Sequence, residues 1–176
     1  MYRISILFLI INFIFLPFTF KNITSLKYSG SYLINEVDAS FIGESANDHS
    51  GYSISIIGDV NKDGYDDILI GAHLYSEEGS FRGKSYLIWG KSTGWSFDFN
   101  LSSVNHTYIG ESSHDYSGAS VSGIGDINND GFSDFAISSY LNDEGGRDAG
   151  KIYLFFGKLS GWEKDNNRLT FANSFF

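Results

Sequence analysis

The chain repeats itself with a period of 67 residues, and that period constrains its fold more than any local feature does. "FIGESANDHSGYSISIIGDVNKDGYDDILIGA" begins at Phe41, and "YIGESSHDYSGASVSGIGDINNDGFSDFAISS" begins at Tyr108. The correspondence runs on without a gap. Gly83-Lys84 matches Gly150-Lys151, "YLIWGK" matches "YLFFGK", and Gly94-Trp95 matches Gly161-Trp162. The organisation expected is a leader over 1–25, a first repeat over 31–107 and a second over 108–174. Residues 175–176, Phe175 and Phe176, stand where a third would start.

Each repeat reads as strands. Ser53 to Ile57 is a short β-branched run, Ile68 to Ala72 an apolar run, and Lys84 to Trp89 an aromatic-rich one. A weaker segment lies around Val104 to Ile109. Asp63-Gly64, Glu78-Gly79, Arg82-Gly83 and Thr93-Gly94 separate them as turns. With 20 glycines and one proline, the composition suits many strands and tight turns better than helices. The fold class expected is all-β, with antiparallel four-stranded blades of an incomplete β-propeller, one blade per repeat. A β-solenoid is the alternative, although its coils are usually much shorter than this period.

The two acidic loops carry the chemistry. Positions 1, 3, 5 and 9 are Asp59, Asn61, Asp63 and Asp67 in "DVNKDGYDD", and Asp126, Asn128, Asp130 and Asp134 in "DINNDGFSD". Position 6 is glycine in both, where the backbone reverses. Alternate oxygen-bearing side chains in a tight loop form a cage for a hard cation, and calcium takes 6–8 such oxygens. The backbone carbonyls of Tyr65 and Phe132, at position 7, are the fifth candidates in each set. Position 12 is Ile70 or Ile137, so the bidentate glutamate of an EF-hand is absent, and the flanks are strands. Asp66 has Ser133 as its counterpart and reads as surface acidity. The cofactor expected is Ca2+, whose charge would offset carboxylates that otherwise repel one another beside a buried strand.

The formal charge of −9 argues against a nucleic-acid partner, because phosphates would be repelled. No cysteine is present, so neither disulfides nor thiolate metal sites brace the chain. "MYRISILFLIINFIFLPFTF" has one positive charge, an apolar run from Ile4 to Leu16, and then Pro17. It reads as a signal peptide or an uncleaved signal anchor, which places the chain outside the cell or at its surface. The membrane is then reached only through that segment. Asn22, Asn100 and Asn105 open glycosylation sequons.

"FIGE…SGYSISIIGDVNKDGYDDILIGA" resembles the FG-GAP repeat of integrin α-chain β-propellers and of related surface proteins. The resemblance rests on the aromatic-x-Gly opening, the Gly-x-Ser strand, the D-x-[DN]-x-D-G-x-x-D loop and the closing Gly-Ala. It covers roughly residues 31–176. The second repeat ends in Ser138-Ser139 where the family has Gly-Ala, and His73 and Tyr140 replace the family's following proline. The resemblance implies a propeller, usually of seven blades, with calcium loops on one face and ligand contacts on the other.

No G-x-S-x-G elbow, H-E-x-x-H helix or P-loop appears, and His49, His73, His106 and His114 share no repeat position. The expectation is therefore a protein that is not an enzyme: an exported, calcium-binding module for adhesion or protein interaction, whose protein or glycan ligand is unknown. The loops Ser76 to Gly83 and Asn142 to Ala149 are its candidate contact segments. The alternatives are a non-catalytic propeller segment of a larger secreted enzyme, and a truncated remnant. Because repeat folds generally need at least three units, further blades or self-assembly with copies is expected to complete the stack.

Overall fold

Two antiparallel sheets, one repeat apart in sequence, pack face to face. The computed structural model describes residues 37–76 and 80–162, together with the backbone of Asn167–Arg168. The leader, the start of the first repeat, Phe175 and Phe176 lie outside the described residues.

Blade 1 is built from β2 (Ser53–Gly58), β3 (Asp67–Ala72), β4 (Lys84–Ile88) and β6 (His106–Ile109), antiparallel in the order β6-β4-β3-β2. These are the four segments expected from the sequence. The register sets Leu69 opposite Leu87 and Tyr86 opposite Thr107. Blade 2 repeats the first three strands as β7 (Val121–Gly125), β8 (Asp134–Ser139) and β9 (Lys151–Phe155). The residues that would match β6 in blade 2, around 173–176, are outside the described part. Gly58 and Gly125 each mark a register shift where the inner strand leaves its neighbour, and both have positive φ. That bulge turns the chain into the acidic loop.

Two short parallel pairs also recur close to the period, the second shifted by one residue on its later strand. β1 (Phe41–Ile42) pairs with β5 (Phe99–Asn100), and β6 pairs with β10 (Asn167–Arg168). β1 is therefore the counterpart of the last two residues of β6. The sequence period and the blade are out of phase by one strand, since the 107/108 boundary falls inside β6.

The main core lies between the blades. Ile57, Val60, Leu69, Leu87 and Tyr108 of blade 1 meet Val121, Phe135, Ile137 and Tyr153 of blade 2, with Trp89, Phe155 and Trp162 around them. Burying each aliphatic side chain is worth about 1.5–3 kcal/mol, which makes this layer the principal stabilising contact of the pair. Strand alternation sends Ile70, Tyr86 and Ile88 to the other side of blade 1, against Phe41, Leu101 and Val104. Tyr86 and Tyr153, from the two aromatic-rich runs, are core residues as expected.

Candidate metal centre

Each acidic loop joins the innermost strand of its blade to the next, β2 to β3 and β7 to β8. Within the first loop the side-chain oxygens turn inward onto the loop's own amides. Asp59 accepts from the N–H of Asp63 at 3.1 Å and from that of Gly64 at 2.8 Å. Asn61 accepts from Asp63 at 2.9 Å, and Asp63 accepts from Tyr65 at 3.0 Å. The Asn61 side-chain amide donates to Asp63 at 2.9 Å. Gly64 has φ +91, the left-handed conformation that lets the loop close without strain.

The second loop reproduces this network bond for bond. Asp126 accepts from Asp130 and Gly131, Asn128 accepts from Asp130, and Asp130 accepts from Phe132, at 2.8–3.1 Å. Asn128 donates to Asp130 at 2.9 Å. Such side-chain-to-backbone turns hold short polar residues in one arrangement.

Asp67 and Asp134 stand apart from these six. Each begins the buried strand and is itself fully buried. Asp67 accepts from Val60 N–H at 3.1 Å and from Gly90 N–H at 2.8 Å. Asp134 accepts from Ile127 and Gly157, both at 2.9 Å. They clamp the loop entrance to the end of the third strand. Burial pushes the Asp67 carboxyl up to about 6, the two amide bonds oppose the rise, and the charges of Asp63 and Asp59 add to it. Of the position-7 residues, Tyr65 and Phe132 contribute their amides to the loop network.

The donor set fits a hard divalent cation in chemistry. It is all oxygen, and in the first loop the charges of Asp59 and Asp63 lie close enough to raise the proton affinity of Asp67. Among the described residues, no three acidic or histidine side chains are gathered tightly enough to enclose an ion. A bound cation would draw on Asp59, Asn61 and Asp63, or Asp126, Asn128 and Asp130, with Asp67 or Asp134 beneath.

Features that the sequence did not reveal lie around these loops. Lys62 reaches from the first loop to the second and sets its ammonium 4.5 Å from the centre of the Phe132 ring. Ser133 donates its N–H to Asp59 O, and Lys158 donates to Val60 O, so the loops are bonded across the blades.

The opposite ends of the strands carry rings. Tyr52 and His73 lie 3.9 Å apart between centroids, Phe81 and Tyr116 are parallel at 6.0 Å, and His49, His114 and Tyr140 complete the cluster. Read in sequence, the histidines looked isolated. The repeat offset nonetheless pairs His49 with Tyr116 and His73 with Tyr140, a signal visible once aromatic and histidine positions are counted together. Of the two expected contact loops, 77–79 lie outside the described residues. Asn142 is buried on Asp115 at 3.0 Å, which removes it from the exposed segment.

The fold and its loops define a repeat protein of propeller-type blades with one aspartate-rich loop in each. The FG-GAP repeat pattern matches residues 50–88 and 117–155, which bracket both loops. Integrin alpha-6 of Homo sapiens is 30% identical over 122 residues, covering 69% of this chain and 10% of the relative. Integrin alpha-5 of Xenopus laevis is 32% identical over 142 residues, covering 78% and 13%. Integrin alpha-PS2 of Drosophila melanogaster is 31% identical over 121 residues, covering 68% and 8%. The chain carries two FG-GAP repeats and belongs with the FG-GAP repeats of integrin α chains. It spans about a tenth of the length of these relatives.

Proposed function

We propose that the chain is an exported, non-catalytic adhesion or protein-interaction module, secreted or held at the cell surface, whose blades are stiffened by one Ca2+ at each acidic loop. The observation that carries this reading is the duplicated loop. Two copies keep the same four ligand positions, and their oxygens are oriented by the same hydrogen bonds. Antiparallel topology puts these loops at one end of the strands and the aromatic–histidine cluster at the other. The metal end therefore serves stability, and the ring-rich end is left for a protein or glycan partner.

Extracellular calcium modules bind at about 10⁻⁴–10⁻³ M. With Kd about 0.1 mM and free calcium about 1 mM, each site stabilises the fold by roughly 1.4 kcal/mol, and two by roughly 3 kcal/mol. The test is thermal unfolding in calcium and in EGTA, for the wild type and for Asp59→Asn, Asp126→Asn and the double variant. The expected pattern is a calcium-dependent rise in Tm that falls by about half in each single variant and vanishes in the double. An identical Tm with and without calcium would remove the metal from this reading.

A further inference from the structure

Position 4 of the acidic loops is Lys62 in the first repeat and Asn129 in the second. Both residues stand in the left-handed backbone conformation, at φ +60 and +63. Asparagine tolerates that conformation and lysine does not favour it, so the first loop carries its lysine at a local cost. Such strain persists where the surroundings hold it in place, and it is a reason to ask what the side chain does.

The side chain of Lys62 leaves its own loop. Its ammonium lies 4.5 Å from the centre of the Phe132 ring. It also lies against Gly131, where an added β-carbon would stand 2.9 Å from Nζ. Gly131 is the residue whose N–H donates to Asp126 Oδ2 at 2.8 Å, and it separates Asp130 from Phe132. A lysine of the first loop therefore ends beside the oxygens of the second. Backbone bonds across the blades fix the two loops at this spacing, from Ser133 N–H to Asp59 O at 3.2 Å and from Lys158 N–H to Val60 O at 2.9 Å. The ion pairs among the described residues are made by Lys84, Arg147 and Lys151, and Lys62 enters none of them. No carboxylate neutralises its charge at contact, so its field reaches the loop. Position 8 leans the same way, being Asp66 in the first loop and Ser133 in the second.

We propose that the two loops are unequal calcium sites: the first fills before the second, and Lys62 is a built-in counter-charge that weakens the second. In the ion-free protein the ammonium relieves repulsion among Asp126, Asp130 and Asp134. Calcium binding there is then opposed by a positive neighbour. An interaction that favours only the empty loop lowers the affinity of that loop for its ion. One charge at this range, in water and at low salt, changes affinity by about three- to tenfold. Salt weakens the effect, because the Debye length falls from about 30 Å at 0.01 M to about 3 Å at 1 M. The inference rests on the calcium reading of the loops and adds which loop loads last, and why.

The experiment is calorimetric calcium titration of the full chain with one loop disabled at a time. Asp126→Asn/Asp130→Asn leaves the first loop, and Asp59→Asn/Asp63→Asn leaves the second. Each is made with Lys62, with Lys62→Met and with Lys62→Arg. Methionine keeps an unbranched stem over Phe132 without the charge, and arginine keeps the charge. In about 20 mM KCl the first loop is expected to bind more tightly than the second. Lys62→Met should tighten the second loop by about three- to tenfold and the first by less, while Lys62→Arg should leave both within about twofold. The gain from Lys62→Met should largely disappear in about 0.5 M KCl. Circular dichroism melting in EGTA confirms that each variant folds. If a disabled-loop variant does not fold, the intact chain still decides, through two unequal binding steps that converge in Lys62→Met. Absence of binding in both single-loop chains would remove calcium, and this inference with it. Binding at both loops, with Lys62→Met acting on neither or on both alike, would overturn this inference and leave the calcium reading standing.

Discussion

Gly90 donates its backbone N–H to Oδ1 of Asp67 at 2.8 Å, and this bond ties the end of β4 to the entrance of the acidic loop. Val60 supplies the second bond, to Oδ2. One buried carboxylate thus fixes two stretches of backbone 30 residues apart, and Asp134 does the same with Gly157 and Ile127.

Removing that clamp leaves two buried amides without acceptors. Asp67→Ala is expected to cost about 2–4 kcal/mol even in EGTA, and Asp67→Asn less, since its amide oxygen still accepts one bond. Urea denaturation in EGTA measures it. A midpoint unchanged in Asp67→Ala would mean that the clamp bears no weight.

The repeated lysine pairs should differ in strength. Lys84 Nζ lies 2.7 Å from Glu44 with its side chain 6% exposed, whereas Lys151 bonds Glu111 and Glu144 with its side chain 31% exposed. In the first pair the lysine is the buried member, and its ammonium also lies 4.5 Å from the centre of the Tyr75 ring and 5.2 Å from that of Tyr86. Removing Lys84 takes away packing as well as charge, whereas Lys151 is a more solvated partner. Lys84→Ala should therefore lose about 2–4 kcal/mol and Lys151→Ala about 1 kcal/mol in the same denaturation series. Equal losses would contradict the burial argument.

Gly123→Ala places a methyl group where β7 touches β2. The expected cost is about 1–3 kcal/mol, because the blades must separate. Trp89 and Trp162 meet across the interface at 5.2 Å, so tryptophan fluorescence should shift along with stability. A variant as stable and as fluorescent as the wild type would show that the interface has slack.

His73 gives the ring cluster a pH dependence. Burial, and then the neighbouring His49, lower its pKa below the usual 6.5. The unfolded chain therefore takes up the proton first as pH falls. The contribution of His73 is fully present above about 6.5 and is lost as pH drops through its folded pKa. His73→Phe keeps a ring against Tyr52 and removes the titration, so the drop in Tm between about pH 7.5 and about pH 5.5 should shrink. A drop as large as that of the wild type would assign the acid sensitivity to other groups.

Much of this molecule was legible in one dimension. "DVNKDGYDD" and "DINNDGFSD" announce most of their hydrogen bonds, because Asp59, Asn61 and Asp63, and likewise Asp126, Asn128 and Asp130, each reach an amide two to five residues away. The strand runs were equally plain. The cluster of His49, His73 and His114 was not, because turns from both repeats meet there and only sheet pairing brings them together.

By itself, the amino-acid order determined the period, the strands and the oxygen-lined loops. These depend on neighbours within a few residues, and tandem duplication states them twice. Tertiary structure alone decided that Asp67 closes on Gly90, that Lys62 crosses to Phe132, and that Gly123 faces inward where Ile56 faces out. Those outcomes depend on how near one sheet stacks on the next, a distance set by the side chains of both blades at once.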